Sequence, residues 1–394
     1  MEKISAIRER CLNRARIDTH AHLSESYCTL EEQAKQYDSF VTTQPLIDSR
    51  AAAEGCRSLY GTDIGSFLRP DVDNAVFIKS TELHKHGAWK AIEHALDKAH
   101  IDKQLAFCTF RADKTRPFAN QKRLSYLAYI DDALNGHMEY PCPDFPKNDE
   151  TYYMRLCALL GQLNTLDDYL NELDKEIDTW RSHGVVGMKT AIAYTSGLSI
   201  SNPSEAMARA AFKQKNDMSE EDFRIVHDFA FHHVLQACLR NSLPVVIHTG
   251  FQIWGHASLE QANPMLLHNI LIDPRYRDLT FVLLHGGNPY IGETTYLAGM
   301  FPNVIIDFTW ISWMSPARFK LALSEWLATV PHNKMCWGSD SSTPESIAGI
   351  DSIVRNLIAD ILESTVLERT IDEKYAFEFI DNTFYNTPKR IFGL

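Results

Sequence analysis

Six residues of this chain are of the types that bind metals or move protons, and they stand at the ends of five apolar runs. Ile17-Asp-Thr-His-Ala-His22 places two histidines two positions apart. Side chains alternate across a strand, so His20 and His22 point the same way and can chelate one ion. Two such neighbours among 16 histidines would carry limited weight alone. The other runs add to it. Pro244–His248 and Phe281–His285 are apolar stretches that end in histidine, and Met335–Asp340 ends in aspartate after small residues that open the backbone. Val185–Lys189 ends in lysine. A histidine closing one strand is ordinarily a satisfied structural residue. Four strands that end in His, His, His and Asp, in that order, are hard to explain by packing and point to a metal centre.

These residues need elements to carry them. Eight apolar runs read as strands: Ala15–His20, Leu105–Phe110, Ser125–Ile130, Val185–Thr190, Pro244–Thr249, Leu279–His285, Asn303–Phe308 and Lys334–Ser339. Several are apolar almost throughout, as expected of parallel strands buried on both faces. Helical patterns lie between them. Thr151–Ser182 reads as helix with a break near Gly161–Asn164, and Gly184 is its stop signal. Ser219–Asp222 resembles a capping box and opens a helix towards Arg240. The alternation predicts an α/β fold, a (β/α)8 TIM barrel whose polar strand ends gather at the C-terminal face. Two connections are too long for simple loops, residues 23–103 and 191–243. Both are expected to be helical insertions at the C-terminal face, with helix at Ser49–Tyr60 and Glu82–His100. Residues 1–394 are expected to form one barrel, with 23–103 as a cap-like insertion.

Composition narrows the function. The chain has 394 residues, 45% of them hydrophobic and 23% charged, which suits a folded protein with a large core. Its formal net charge of −12 argues against nucleic acid as partner. No run approaches the roughly 18 apolar residues of a membrane span. The first 22 residues carry charges throughout, unlike a secretory signal. The eight cysteines show no C-x-x-C pair. Scattered thiols of that kind point to a reducing, cytoplasmic setting.

The ligand motifs resemble those of the amidohydrolase superfamily, whose members carry H-x-H on strand one, His on strands five and six, and Asp on strand eight. The similarity runs from Ile17 to Leu394. Within it the chain is most similar to the amidohydrolase 2 group and its nodulin/FluG-like domains, through Arg57–Gly61, Gly187–Gly197, His248–Phe251 and His285–Asp307. The resemblance implies that His20, His22 and Asp340 hold the first metal, together with His248. The metal implied is divalent, Zn2+ in the first instance, as one or two ions. A Zn2+ on imidazoles and a carboxylate brings its water to a pKa of ~7, and Asp340 would carry that proton to the leaving group. His285 would bind a second metal or hydrogen-bond the substrate oxygen that gains charge. Lys189 has three readings: a carboxylated bridge between two ions, a cation facing an anionic substrate, or a strand-end lysine that snorkels to water.

Loop residues complete the expected site. Tyr194, Trp254, His256, Trp310 and Trp313 follow strands four, five and seven and would wall a small-molecule pocket, unless they pack beneath the insertion. Arg57 could reach a substrate carboxylate, or be a helix-surface cation. His232 and His233 are neighbours on a helix and point apart. His84 and His86 read as surface or core. Gly286–Gly287 lacks a dinucleotide context and is expected to admit close backbone approach. The function expected is metal-dependent hydrolysis of an amide, lactone or similar bond in a small, acidic molecule. The alternatives are a decarboxylase or uronate-type isomerase on the same site. A barrel without activity is disfavoured, since no ligand position holds an apolar residue. The family's barrels imply a homo-oligomer.

Overall fold

The computed structural model describes residues 5–26, 28–37, 42–135, 162–215, 217–253 and 257–394. All eight expected strands are present: β1 (Arg16–Ala21), β2 (Ile101–Cys108), β3 (Leu124–Tyr129), β4 (Val185–Thr190), β5 (Val245–Ile247), β6 (Phe281–Leu283), β7 (Val304–Asp307) and β8 (Met335–Cys336). They form one sheet in chain order, β1 to β8, with parallel pairing, which is the (β/α)8 fold class. Every residue of β1 and of β4 is buried. That explains why the strands read as continuous runs and not as alternating ones. Among the described residues no helix is long and apolar enough to cross a membrane.

The chain divides into two compact units. One comprises Met1–Phe107, Pro117–Ser125 and Ile305–Leu394, and the other Cys108–Arg116 and Tyr126–Val304. In the first unit, residues 23–100 hold the helices Leu30–Gln36, Thr43–Tyr60, Asn74–His84 and Ala88–Lys98. The single helix expected over Glu82–His100 is two, because Gly87 sits between them at φ 98°, a conformation that ends one helix and starts the next. Thr29 and Glu32 cap each other at the start of Leu30–Gln36.

The Thr43–Tyr60 helix packs on the long Pro344–Leu367 helix with almost no side chain between their backbones. A Cβ on Gly55 would stand 1.9 Å from the Glu345 carbonyl oxygen, and one on Gly349 would stand 1.9 Å from that of Ala51. Glycine is required at both, because only hydrogen fits the gap. Beside this contact lies a buried ion cluster. Arg16 of β1 reaches Asp351 at 3.1 Å and gives its other donors to the carbonyls of Ala99 and Cys11, while Arg355 takes the second Asp351 oxygen at 3.3 Å. Burial raises the Asp351 carboxyl, and the two guanidiniums oppose it. Each buried charge thus has a partner.

In the second unit, helix Leu166–Thr179 starts at a Thr165–Asp168 capping box, and the turn that follows ends at Gly184 with φ 76°. Residues 151–161, also expected to be helical, lie outside the described residues. Ser219 caps Glu220–Arg240 by accepting from the Asp222 amide, as its sequence suggests.

The glycine contact yields a stability prediction. Gly349→Ala is expected to lower stability by roughly 1–3 kcal/mol through overpacking against Ala51. Gly292→Ala, at a helical glycine with nothing within 4 Å of the added methyl, is expected to be neutral or stabilising. Thermal denaturation of both variants checks the pair. Equal melting temperatures would contradict the close approach.

Candidate metal centre

β1 brings His20 to the end of the strand, and His22 follows one residue beyond it, on the same side. Their Nε2 atoms are 3.2 Å apart. Asp340 Oδ1 lies 3.4 Å from His20 Nε2 and 3.0 Å from His22 Nε2. Among the described residues this is the group of three metal-ligating side chains whose donor atoms fall within 4.8 Å of one another. Ligands at about 2.0–2.2 Å from one Zn2+, at angles between square and tetrahedral, stand about 3 Å apart. The observed edges therefore fit a single divalent ion. His20 and Asp340 are buried, and the His22 side chain is 50% exposed, so the group opens to solvent on the His22 side. Phe107 stacks on His22 at 4.8 Å and meets His20 edge-on at 5.9 Å, which limits both rings.

A layer of buried polar residues holds these ligands from beneath. The Asp18 carboxylate accepts from Ser339 Oγ (2.6 Å), the Ser339 amide (2.7 Å), Gln104 Nε2 (2.7 Å) and the His20 amide (3.2 Å). Burial pushes Asp18 up to about 6, and those hydrogen bonds pull against it. Backbone bonds continue the seam: Thr19 N–H to the Trp337 carbonyl, Asp340 N–H to that of His20, and His22 N–H to that of Ser341. Gly338 is dictated by this closeness, since a Cβ there would stand 2.6 Å from Thr309 Oγ1 and 2.8 Å from the His20 amide nitrogen. Asp340 itself adopts φ 57°, rare for a residue with a side chain. Beside it, Asp307 at the end of β7 accepts from Thr19 and Thr309 hydroxyls and the Thr309 amide.

The second unit gathers its own strand ends. Lys189 is buried on β4, and its carbonyl accepts from the Ile130 amide. His248 Nε2 is 2.9 Å from the Phe251 carbonyl oxygen, so that nitrogen carries the proton and Nδ1 keeps its lone pair. His285 Nε2 lies 2.9 Å from that Nδ1. The arrangement leaves His248 in one defined tautomer. Tyr194 packs on His248 with ring centroids 4.5 Å apart. His285, Gly286 and Gly287 all have positive φ, and a Cβ on Gly250 would stand 2.2 Å from the Asn288 carbonyl oxygen. Close backbone approach is the role found for this glycine-rich turn.

The remaining expected residues separate. Trp310 and Trp313 are buried, and Trp313 Nε1 donates to the Ser339 carbonyl at 3.1 Å. Trp254 and His256 lie outside the described residues. Arg57 is half exposed and engaged by Glu54 and Asp63. His232 bonds the Tyr276 hydroxyl and the Ser201 carbonyl, while His233 faces Asp174, so the two point apart. His84 bonds the Ser80 carbonyl and His86 is exposed. Sequence reasoning passed over Asp18, Gln104, Ser339 and Asp307. One signal was available: Val304–Asp307 is an apolar strand that ends in an acid, like the ligand-bearing strands.

The sequence model of the amidohydrolase family matches residues 160–393. The curated protein fluG of Emericella nidulans is 27% identical over 225 residues, which cover 53% of this chain and 26% of that protein. The chain thus spans about a quarter of its curated relative. Among solved structures, a candidate metal-dependent hydrolase from Lactobacillus casei superposes with a TM-score of 0.73 at 17% identity, covering 99% of this chain and 98% of that one. Uronate isomerase from Thermotoga maritima superposes with a TM-score of 0.71 at 15% identity, covering 98% and 96%. These likenesses establish a shared fold.

A pair of buried acids, Asp131 and Asp132, stands beside the end of β4. Asp131 accepts from Thr190 Oγ1 at 2.6 Å and the Ala191 amide at 2.8 Å. Its neighbour Asp132 is raised from 3.8 to about 7 by burial and by the Asp131 charge. A folded carboxyl that holds its proton more tightly than the unfolded one stabilises at low pH. That contribution is lost as pH rises from about 4 to about 7. Asp132→Asn should therefore melt above the wild type near pH 8, and the difference should vanish near pH 4. Melting curves at both values check it, and an equal offset at the two would refute the shift.

Proposed function

Because this chain belongs to the amidohydrolase family, we propose that it is a metal-dependent hydrolase that opens an amide, lactone or similar bond in a small, acidic molecule. The observation that carries the reading is the His20–His22–Asp340 triangle, with edges of 3.0–3.4 Å and one half-exposed corner. A divalent ion held there, with Zn2+ best suited to imidazole and carboxylate donors, supplies Lewis acidity and lowers the pKa of water towards neutrality.

The chain's own residues supply the rest. His20 and His22 must be neutral at the nitrogens they offer, and the carboxylate of Asp340 beside them provides the compensating charge. Asp340 Oδ1 faces both imidazoles, so its other oxygen is assigned to receive the proton of the attacking water and return it to the leaving group. The left-handed backbone at Asp340 and the bond from its amide to the His20 carbonyl fix the direction of that carboxylate. In the second unit, His285 is proposed to stabilise the substrate oxygen that gains charge through Nδ1–H of its doubly protonated ring, because Nε2–H is given to His248 Nδ1. His248, fixed in one tautomer by the Phe251 carbonyl, orients it. Lys189 is proposed to act as a carbamate or as a cation towards the acidic substrate.

A second reading is isomerisation of a uronate, the reaction named for three of the proteins whose folds superpose on this one. Hydrolysis takes an oxygen from water into the product, and isomerisation does not.

Elemental analysis of the purified protein should give one or two divalent metals per chain, and His20→Ala with His22→Ala should remove the first. Asp340→Asn should keep metal but lose roughly 100-fold or more of kcat on a panel of lactones and N-acyl amino acids. Unchanged turnover in Asp340→Asn would overturn the proton-carrier role. A metal-free wild type with intact fold would overturn the enzyme itself.

A further inference from the structure

We infer that Arg50 is the docking point for a carboxylate of the substrate, an inference that rests on the function proposed above and names the part of the molecule that reads acidity. Arg50 lies on the Thr43–Tyr60 helix and is half-buried. Among the described residues, the acceptor for its guanidinium is the Trp313 carbonyl. Its Nε is buried with no hydrogen-bond partner.

Among the described residues no carboxylate pairs with it, and burial lowers the Arg50 pKa. Arg116, also half-buried, gives its donors to the carbonyls of Ala112 and His183, whereas other buried arginines are paired with carboxylates. Arg16 has Asp351, and Arg111 has Glu172 and Glu176. A desolvated guanidinium without a counter-anion is costly, and its planar fork fits a carboxylate bidentately.

The carbonyl that holds Arg50 belongs to the short helical turn Ile311–Met314, which packs on the Thr43–Tyr60 helix. The same Trp313 donates its indole N–H to the carbonyl of Ser339, the residue before Asp340. One tryptophan therefore links the guanidinium to the metal group. The turn is built with strain. Trp310 sits at φ 65°, ψ −64°, and the Ile311 amide closes back on the Thr309 carbonyl at 2.8 Å. That γ-turn geometry is rare for a residue with a side chain and is found where function fixes the backbone.

Unfilled hydrogen-bonding capacity clusters on these two elements. Among the described residues, the hydroxyls of Ser49 and Ser312 and the Gln44 carbonyl oxygen are buried without hydrogen-bond partners, as is Arg50 Nε. Asp48 on the same helical turn is raised to about 6, mainly by burial, with the Asp340 charge contributing, so this turn lies within electrostatic reach of the metal group. Arg57, which the sequence suggests for the carboxylate, already serves Glu54 and Asp63. The free fork belongs to Arg50.

The test compares small acids with their amides on the metal-loaded protein. Glutarate, benzoate and glucuronate, with the corresponding amides, are titrated calorimetrically against the wild type and Arg50→Met. The wild type is expected to bind at least one acid roughly tenfold or more tightly than its amide, and Arg50→Met to lose that preference at unchanged metal content. Phenylglyoxal labelling of the wild type, read by peptide mass, guards against a misfolded variant: Arg50 should be modified, and the preferred acid but not its amide should protect it. The inference is overturned if no acid is preferred, if Arg50→Met keeps the preference, or if the acid leaves labelling unchanged. Failure of the proposed function shows separately, as absence of metal or of turnover.

Discussion

The Asp18 carboxylate is the constraint on which the rest of the metal group depends. One buried anion accepts four hydrogen bonds, from β1 itself, from Gln104 of β2 and twice from Ser339 after β8. Its satisfaction draws the ends of β1 and β8 together. That closure is what allows backbone bonds to pass from Asp340 to His20 and from His22 to Ser341. Burying a carboxylate is expensive, as its raised pKa of about 6 shows, and four donors in fixed positions offset the cost only at one arrangement of the two strand ends. The geometry of the ligands is thereby set by a residue that offers the ion nothing.

Above that layer, the side chains used for chemistry are presented by backbone that most sequences avoid. His285, Trp310 and Asp340 all have positive φ, and each lies two to four residues past the end of a short strand. β6 has three residues and β8 has two before the chain turns. Left-handed residues redirect the chain abruptly, so the side chain leaves the strand direction at its end. The neighbouring glycines make room: Gly338 under His20 and Thr309, Gly250 and Gly287 against the turn after β6. Strain of this kind persists only where the surroundings over-determine it. For Asp340 and Trp310 the surroundings are the hydrogen-bonded acids Asp18 and Asp307 and the indole of Trp313.

Buried charges elsewhere follow the same rule of pairing. Arg16 with Asp351 and Arg355 anchors the start of β1 to the Pro344–Leu367 helix, and Arg111 with Glu172 and Glu176 ties the segment after β2 to the Leu166–Thr179 helix. Among the described residues the Arg50 guanidinium meets a backbone carbonyl and no carboxylate, and it stands two contacts from the residue before Asp340. The Thr43–Tyr60 helix that bears it is pressed onto Pro344–Leu367 by glycine contacts too close to allow sliding. The helix is therefore a rigid mount for that cation.

Much of this was legible in the sequence, and the reason is periodicity. Parallel strands buried on both faces read as apolar runs, so all eight were found. A polar residue closing such a run marks a strand end, which singled out His20, Lys189, His248, His285 and Asp340. Capping residues and Gly184 marked helix limits because their effect is local. The split of 82–100 at Gly87 was missed, since a glycine inside a helical pattern is tolerated as often as it breaks one. What only the tertiary structure decided was which residues meet. Asp18 and Ser339 are 321 positions apart, and nothing in either local pattern announces their bond. Arg50 and Arg57 stand on one helix with the same chemistry. Their difference is that Glu54 and Asp63 reach one, while only a backbone carbonyl reaches the other. Local sequence sets the direction in which a side chain leaves its strand or helix. The distance between two such side chains is set by how the strands close and the helices pack, and that is where the metal triangle and the open guanidinium are made.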